Sequence, residues 1–294
     1  MKRPLVIFIA ALIAFSGAVV AVFATAADRD FNLRGYVDAT QNGELPFRIP
    51  RLGVNVDLTQ YSPGELPSVL EQMRAANVYW LRQFVDWATI EAEPGVYDWS
   101  MIAPVFDALQ AYPELHLVPV LIGSPVWARP DDAIDQRLTP PRNPDDFSVF
   151  VSAFAREFGD QLDIYQIWDE PNLITGWGGH DPRPAEYMSL LAAASEAIKA
   201  ADPGAQILAA ALAPTTETGG RNLSDILYLE QLYALGADVY VDGFAAKPYG
   251  FDTPPSDRTV DPSVLNFSRV VALREVMVAH ADDESPLWIS EYGW

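Results

Sequence analysis

Apolar and polar positions along this chain fall into a repeating pair of patterns. A short β-prone run is followed by a longer run with helical spacing. The strand-like runs begin at Arg51, Val78, Leu115, Ile164, Gln206, Val239 and Pro286. They end near Val56, Phe84, Ile122, Pro171, Leu212, Ala245 and Glu291. Helical runs lie between them at 62–76, 100–112, 144–158, 184–201, 223–235 and 267–280. The run after Asn143 is the clearest. Asn143 is a good N-cap, Pro144 suits the first helical position, and Asp145 and Asp146 suit a positive helix start. Phe147, Phe150, Val151, Phe154 and Phe158 then share one face, and Gly159 is the stop. In the fourth strand-like run, Ile-Tyr-Gln-Ile-Trp-Asp-Glu-Pro-Asn, Pro171 cannot donate a ladder hydrogen bond and is expected to end the strand.

Strands that alternate with helices predict parallel pairing, because parallel neighbours need a crossover. The expected fold is therefore α/β, a (β/α)8 TIM barrel over residues 51–294. A doubly wound open sheet is the alternative, but no glycine-rich phosphate turn follows the first strand. The chain stops at Trp294, directly after the seventh strand. The eighth β/α unit is thus expected to lie in a longer reading frame, since an open barrel exposes two strand edges.

The N-terminus departs from this rhythm. Met1-Lys2-Arg3 is basic, Leu5 to Ala27 is almost wholly apolar, and Ala24-Thr25-Ala26 offers a small-residue cleavage site. Residues 1–27 read as a signal peptide, or as an uncleaved membrane anchor, since about 20 apolar residues suffice to span a bilayer. Either reading places the rest outside the cytoplasm, secreted or tethered. Residues 28–50, polar with Gly35, Asn42-Gly43, Pro46 and Pro50, read as a tether.

Composition narrows the partners. The formal net charge of −21 argues against nucleic acid, anionic membrane surfaces and polyanionic substrates. With no cysteine, disulfides and thiol chemistry are excluded. The three histidines, His116, His180 and His280, lack ligand spacing, so no metal is expected. No Gly-x-Ser-x-Gly elbow is present.

The candidate chemistry lies at two strand tips. Glu170 ends the fourth strand and Glu291 the seventh. In a barrel both tips open on one face, where chemistry sits. Two carboxylates across a glycosidic bond are the minimum apparatus for its hydrolysis, one protonated and one ionised. Aromatic residues near strand tips are candidate sugar-stacking platforms: Trp87, Trp127, Trp168, Trp177, Tyr249 and Trp294. Trp127 and Trp177, in Gly/Pro-bounded loops, are the better of these, and Trp80, Trp99 and Trp288 read as core.

Trp168-Asp169-Glu170-Pro171-Asn172 and Ser290-Glu291-Tyr292-Gly293-Trp294 resemble the strand-four and strand-seven motifs of the retaining (β/α)8 glycoside hydrolases of clan A, the β-xylosidase and cellulase kind. The resemblance covers roughly residues 51–294. It implies Glu170 as acid/base, Glu291 as nucleophile, Arg82 as support for the nucleophile, and a sugar-binding subsite that includes Asp169, Asn172, Lys247 and Tyr249. No cofactor is implied. The chain departs from the pattern twice. The motif's asparagine is Asp169, which can accept from a sugar hydroxyl but not donate, and its histidine is Lys247. Asp169 and Lys247 are expected to compensate one another electrostatically. The expected function is a retaining glycoside hydrolase acting on β-linked neutral oligo- or polysaccharide. A non-catalytic carbohydrate-binding protein on the same scaffold is the alternative.

Overall fold

The computed structural model describes residues 2–33, 52–133 and 137–294. Helix α1, Lys2–Leu33, carries the apolar N-terminal run, and its Arg3–Asp28 part is long and apolar enough to cross a membrane. The helix passes Ala27 and enters the stretch read as a tether. The rest of that stretch lies outside the described residues, as does Arg51, the expected start of the first strand.

Seven parallel strands form the sheet: β1 Gly53–Asn55, β2 Trp80–Asp86, β3 His116–Ile122, β4 Ile164–Ile167, β5 Gln206–Leu212, β6 Gly243–Ala246 and β7 Leu287–Ile289. They pair in sequence order, each with the next. Helices follow in the expected alternation: α2 Leu66–Ala75, the short α3 Trp87–Ile90, α4 Ala103–Leu109, α5 Pro144–Phe158, α6 Pro184–Ala201, α7 Asp225–Ala234 and α8 Arg269–Ala279. The strands are buried on both faces where helices cover them. Every residue of β3 after His116 is buried, as parallel sheets require. Pro119 is tolerated inside β3 because pairing with β4 begins only at Val120. The sheet curls so that its two edges face one another, and one side-chain bond spans them: the Asn55 amide on β1 donates to the Ser290 carbonyl just past β7 at 2.9 Å.

Two apolar layers hold the ring. The outer layer is the aromatic face of α5, where Phe158 stacks on Phe106 with ring centres 4.0 Å apart. Asn143 caps that helix as expected, accepting from the Asp145 N–H. The inner layer is small. Val118, Ile164 and Leu208 fill the barrel with Trp80 and Trp288, whose rings meet edge to face at 4.9 Å.

Two strand boundaries differ from expectation. The sixth strand begins at Gly243 rather than Val239. Gly236 takes a left-handed φ of 80°, and a 3-10 turn over Ala237–Val239 uses up the apolar residues before it. The fourth strand stops at Ile167, before Pro171 is reached. Trp168 turns to φ 68° and Glu170 to φ 50°, conformations that break strand geometry in a non-glycine residue.

Candidate active site

The double reversal after β4 is what delivers Glu170. Its backbone N–H donates to the Ala211 carbonyl at 3.0 Å, and its carbonyl accepts from the Leu173 N–H. Backbone held in a sparsely populated region costs on the order of 1–3 kcal/mol per residue and persists only where neighbours enforce it. Here the enforcement is visible. Trp168 is fully buried and donates its indole N–H to the Gly176 carbonyl at 2.8 Å, which folds the loop back over Glu170.

Asn172 completes this support. Its amide donates to the carbonyls of Ala213 and Leu223 at 2.8 and 3.0 Å and accepts from the Ala213 N–H at 3.0 Å. It is fully buried. The expectation that it binds substrate is therefore corrected: its hydrogen-bonding groups are committed to the backbone, and its part is to hold the loop. Trp177 is corrected for a related reason. It is 1% exposed, packed between Trp168 and Tyr187, and offers no face to a sugar. Trp87 and Trp168 are likewise buried. Trp127 is half-buried. It lies edge-on against Trp87 and donates to the Glu91 carbonyl, so its contacts are with that loop rather than with the carboxylates.

Arg82, Asp169, Glu170, Lys247, Tyr249 and Glu291 do come together. The Arg82 guanidinium donates to Asp169 at 2.6 Å and to Glu291 at 3.1 Å. Its remaining bonds go to Asn55 at 2.8 Å and Gln166 at 2.9 Å. The Lys247 ammonium contacts Asp169 Oδ2 at 2.8 Å, Glu170 Oε1 at 2.9 Å and Glu291 Oε1 at 2.9 Å. The expected contact between Asp169 and Lys247 is thus direct. Tyr249 donates its hydroxyl to Glu291 Oε2 at 2.6 Å. Because Glu170 Oε1 and Glu291 Oε1 each lie 2.9 Å from one nitrogen, they are at most 5.8 Å apart, twice that distance.

Charge states follow from these contacts. Burial alone would raise the Glu291 carboxyl, but Tyr249, Lys247 and Arg82 outweigh it and hold the group below its ordinary value. Burial alone would lower Lys247, but Asp169 and Glu170 hold it well above the ordinary lysine value, so it is charged. Burial and the adjoining Glu291 push the Tyr249 hydroxyl up to about 12, which keeps it a donor.

A cavity of about 540 Å³ opens beside Glu291, between the β1 and β7 ends of the sheet. Arg82, Gln166, Tyr249 and Glu291 line its polar wall, and Trp80 and Trp288 its apolar one. Of the three tryptophans read as core, Trp80 and Trp288 are therefore half core and half cavity lining. At the rim Trp294 is 59% exposed and stacked on Phe267 at 5.3 Å. The Tyr249 loop is fixed to it by a bridge from Tyr249 to Gly293.

Sequence reasoning missed Asn55 and Gln166, which orient Arg82. A signal for Gln166 was present: an amide inside the otherwise apolar run Ile-Tyr-Gln-Ile must find a partner inside the barrel.

No protein-family profile matches the chain, and no curated protein matches its sequence. Solved structures do. A monomeric β-xylosidase from Caulobacter crescentus CB15 superposes with a TM-score of 0.62 at 20% identity, over 82% of this chain and 52% of that one. A family 39 glycoside hydrolase from the gut symbiont Bacteroides cellulosilyticus WH2 gives 0.62 at 17% identity, over 83% and 49%. An endo-1,4-β-mannanase from Rhizomucor miehei gives 0.56 at 14%, over 83% and 77%. The chain spans about half the length of the first two. At these identities the likeness is one of fold, and the chain shares the barrel fold of the glycoside hydrolases that its strand-tip motifs resemble.

Proposed function

We propose that residues 52–294 belong to a retaining glycoside hydrolase acting on β-linked neutral oligo- or polysaccharide. The observation that carries this is the meeting of Glu170 and Glu291 across one nitrogen, with Oε1 of one no more than 5.8 Å from Oε1 of the other. Retaining enzymes hold their carboxyl groups about 5–5.5 Å apart, and inverting ones roughly 6.5–9.5 Å. Glu291 is the nucleophile: a carboxylate held ionised by Arg82, Lys247 and Tyr249 attacks the anomeric carbon, and the glycosidic C–O bond breaks. Glu170 protonates the departing oxygen through Oε2, since Oε1 is engaged by Lys247. It then takes a proton from the water that releases the sugar from Glu291. Trp294 is the aromatic platform that remains open at the rim.

The apolar α1 supports export, with the barrel secreted or tethered outside the cytoplasm. Residues 28–50 would be the connection. NMR of the first-released anomer tests the mechanism. Retention is expected, with turnover abolished in Glu170→Gln and Glu291→Gln, and initial inversion refutes the nucleophile assignment. Sugar binding without turnover is the second reading, favoured by the Lys247 ammonium lying between the two carboxylates. Sugar binding measured by calorimetry on a protein that turns over no β-glycoside would establish it.

A further inference from the structure

Lys247 has more contacts than a counter-ion for Asp169 needs. An ammonium has three N–H donors and no acceptor. Lys247 faces three different carboxylates, each within 2.9 Å, and is 3% exposed. The ammonium is enclosed by these three groups. Its expected place among the substrate-binding residues is therefore corrected, and its charge serves the carboxylates themselves.

Those carboxylates need holding. Glu170 stands on a loop bent twice through left-handed backbone. Among the described residues, the one side-chain hydrogen bond to its carboxylate comes from Lys247. Glu291 follows β7, a strand of three residues that pairs on one side with β6. Two carboxyl groups this close repel whenever both are ionised, unless a cation lies between them. Asp169 grips Lys247 from behind and is itself gripped by Arg82, which returns to Glu291. Lys247, Asp169, Arg82 and Glu291 thus form a closed ring of ion pairs, and Glu170 is attached to that ring through Lys247.

Resting on the glycosidase reading above, we propose that Lys247 is a positioning residue: one ammonium, bonded to Glu170, Glu291 and Asp169 together, sets the gap between acid/base and nucleophile. A compact ammonium with three rotatable donors can serve three carboxylates at one point. A planar guanidinium spreads its donors over three nitrogens in a rigid fork and does not present them at one point.

The test uses the full chain and the aryl β-glycoside it turns over fastest. Lys247→Met keeps an unbranched side chain, one atom shorter, without the charge. A loss of alignment of about 1 Å predicts a fall in kcat of roughly 100-fold, with KM little changed. Lys247→Arg is expected to behave like Lys247→Met. Lys247→Ala is expected to regain rate, saturably, with added ethylammonium, but not with sodium at equal ionic strength.

The acid limb of kcat/KM is expected to move to higher pH in Lys247→Met. The nucleophile must be ionised, and it loses one of the groups that favour that form. Arg82 from β2 and Tyr249 from the loop after β6 still face it. Asn55 reaches it through Arg82, and Asp169 and Glu170 through the ammonium. Thermal melting confirms that each variant is folded. A near-parental kcat in Lys247→Met, an unmoved acid limb, or a folded Lys247→Ala that ethylammonium does not rescue would each overturn the proposal. A parent that turns over no glycoside overturns the glycosidase reading and this role with it.

Discussion

Gly176 decides whether Glu170 can stay where it is. A Cβ built on Gly176 would lie 2.0 Å from the Glu170 carbonyl oxygen, 2.7 Å from its carbonyl carbon and 3.0 Å from its Cβ. Real Cβ contacts below 3.0 Å are essentially absent, so Gly176→Ala must open this contact by about 1 Å, the difference between 3.0 and 2.0. The relief cannot come from a flexible side chain, because the struck atoms are backbone. Nor can residue 176 retreat freely, since its carbonyl holds the buried Trp168 indole. The displacement falls on Glu170. A shift of about 1 Å at a catalytic group costs on the order of 10²-fold in rate, and overpacking costs typically about 1–3 kcal/mol of stability. Gly176→Ala should therefore lower kcat on an aryl β-glycoside by roughly 100-fold and lower the melting temperature. Gly64→Ala is the control, since a Cβ there meets nothing within 4 Å. A Gly176→Ala enzyme with parental kcat refutes the idea that this glycine positions Glu170, even if its melting temperature falls.

Three further outcomes follow from the same contacts. Asn172→Ala strands a buried N–H and two buried carbonyls. At about 1–3 kcal/mol for an unsatisfied buried group, urea denaturation should show a loss of that order or more. Trp177→Phe should lower stability through the lost packing of a buried ring, a loss partly offset because the deleted N–H has no partner among the described residues, and should leave KM unchanged. Stability against pH should depend on the ion cluster at both ends. Glu291 is depressed, so its contribution is present above the ordinary carboxylate value of 4.5 and is lost as pH falls through the lowered one. Lys247 is raised, so its contribution is present below 10.5 and is lost as pH rises through its folded value. Denaturation series in Lys247→Met should show both dependences weakened.

The barrel was legible because its signals are local. Strand runs, the Asn143 cap and the phenylalanine face of α5 each follow from a few adjacent residues, and the structure has them. The site was legible only where one residue type has one use. Glutamates at the tips of strands four and seven, an arginine in strand two and a tyrosine after strand six converge as expected. Asn172 and Trp177 were misread because sequence shows that a residue can bind sugar, not whether its bonds are already spent. Asn172 faces backbone 41 and 51 residues away, at Ala213 and Leu223, a pairing that spacing cannot reveal. The end of β4 was attributed to Pro171, yet the turn is made three residues earlier by Trp168. That residue adopts a left-handed φ because its buried indole is tied to Gly176. Tertiary packing set that backbone, and no propensity points to it.

The two departures from the motif are best understood as one change. Replacing a neutral asparagine by Asp169 adds an anion. Replacing a neutral histidine by Lys247 adds a cation, so the net charge of the site is unaltered. The two new groups bond at 2.8 Å, both nearly buried. Reverting either alone removes one partner of a buried pair, and the charge left behind typically costs about 3–5 kcal/mol. Asp169→Asn also takes the charge from the shortest bond of Arg82, at 2.6 Å, and leaves Lys247 with Glu170 and Glu291 as its only anionic partners. Lys247→His leaves Asp169 balanced by Arg82 only. The double change Asp169→Asn with Lys247→His restores a neutral pair, so the cost is not the sum of the two. A double-mutant cycle on kcat/KM and on denaturation midpoint should therefore give a coupling of at least about 1 kcal/mol, as residues in direct contact do. Additive effects would mean that each substitution arose on its own terms and that their contact does no more than fill space.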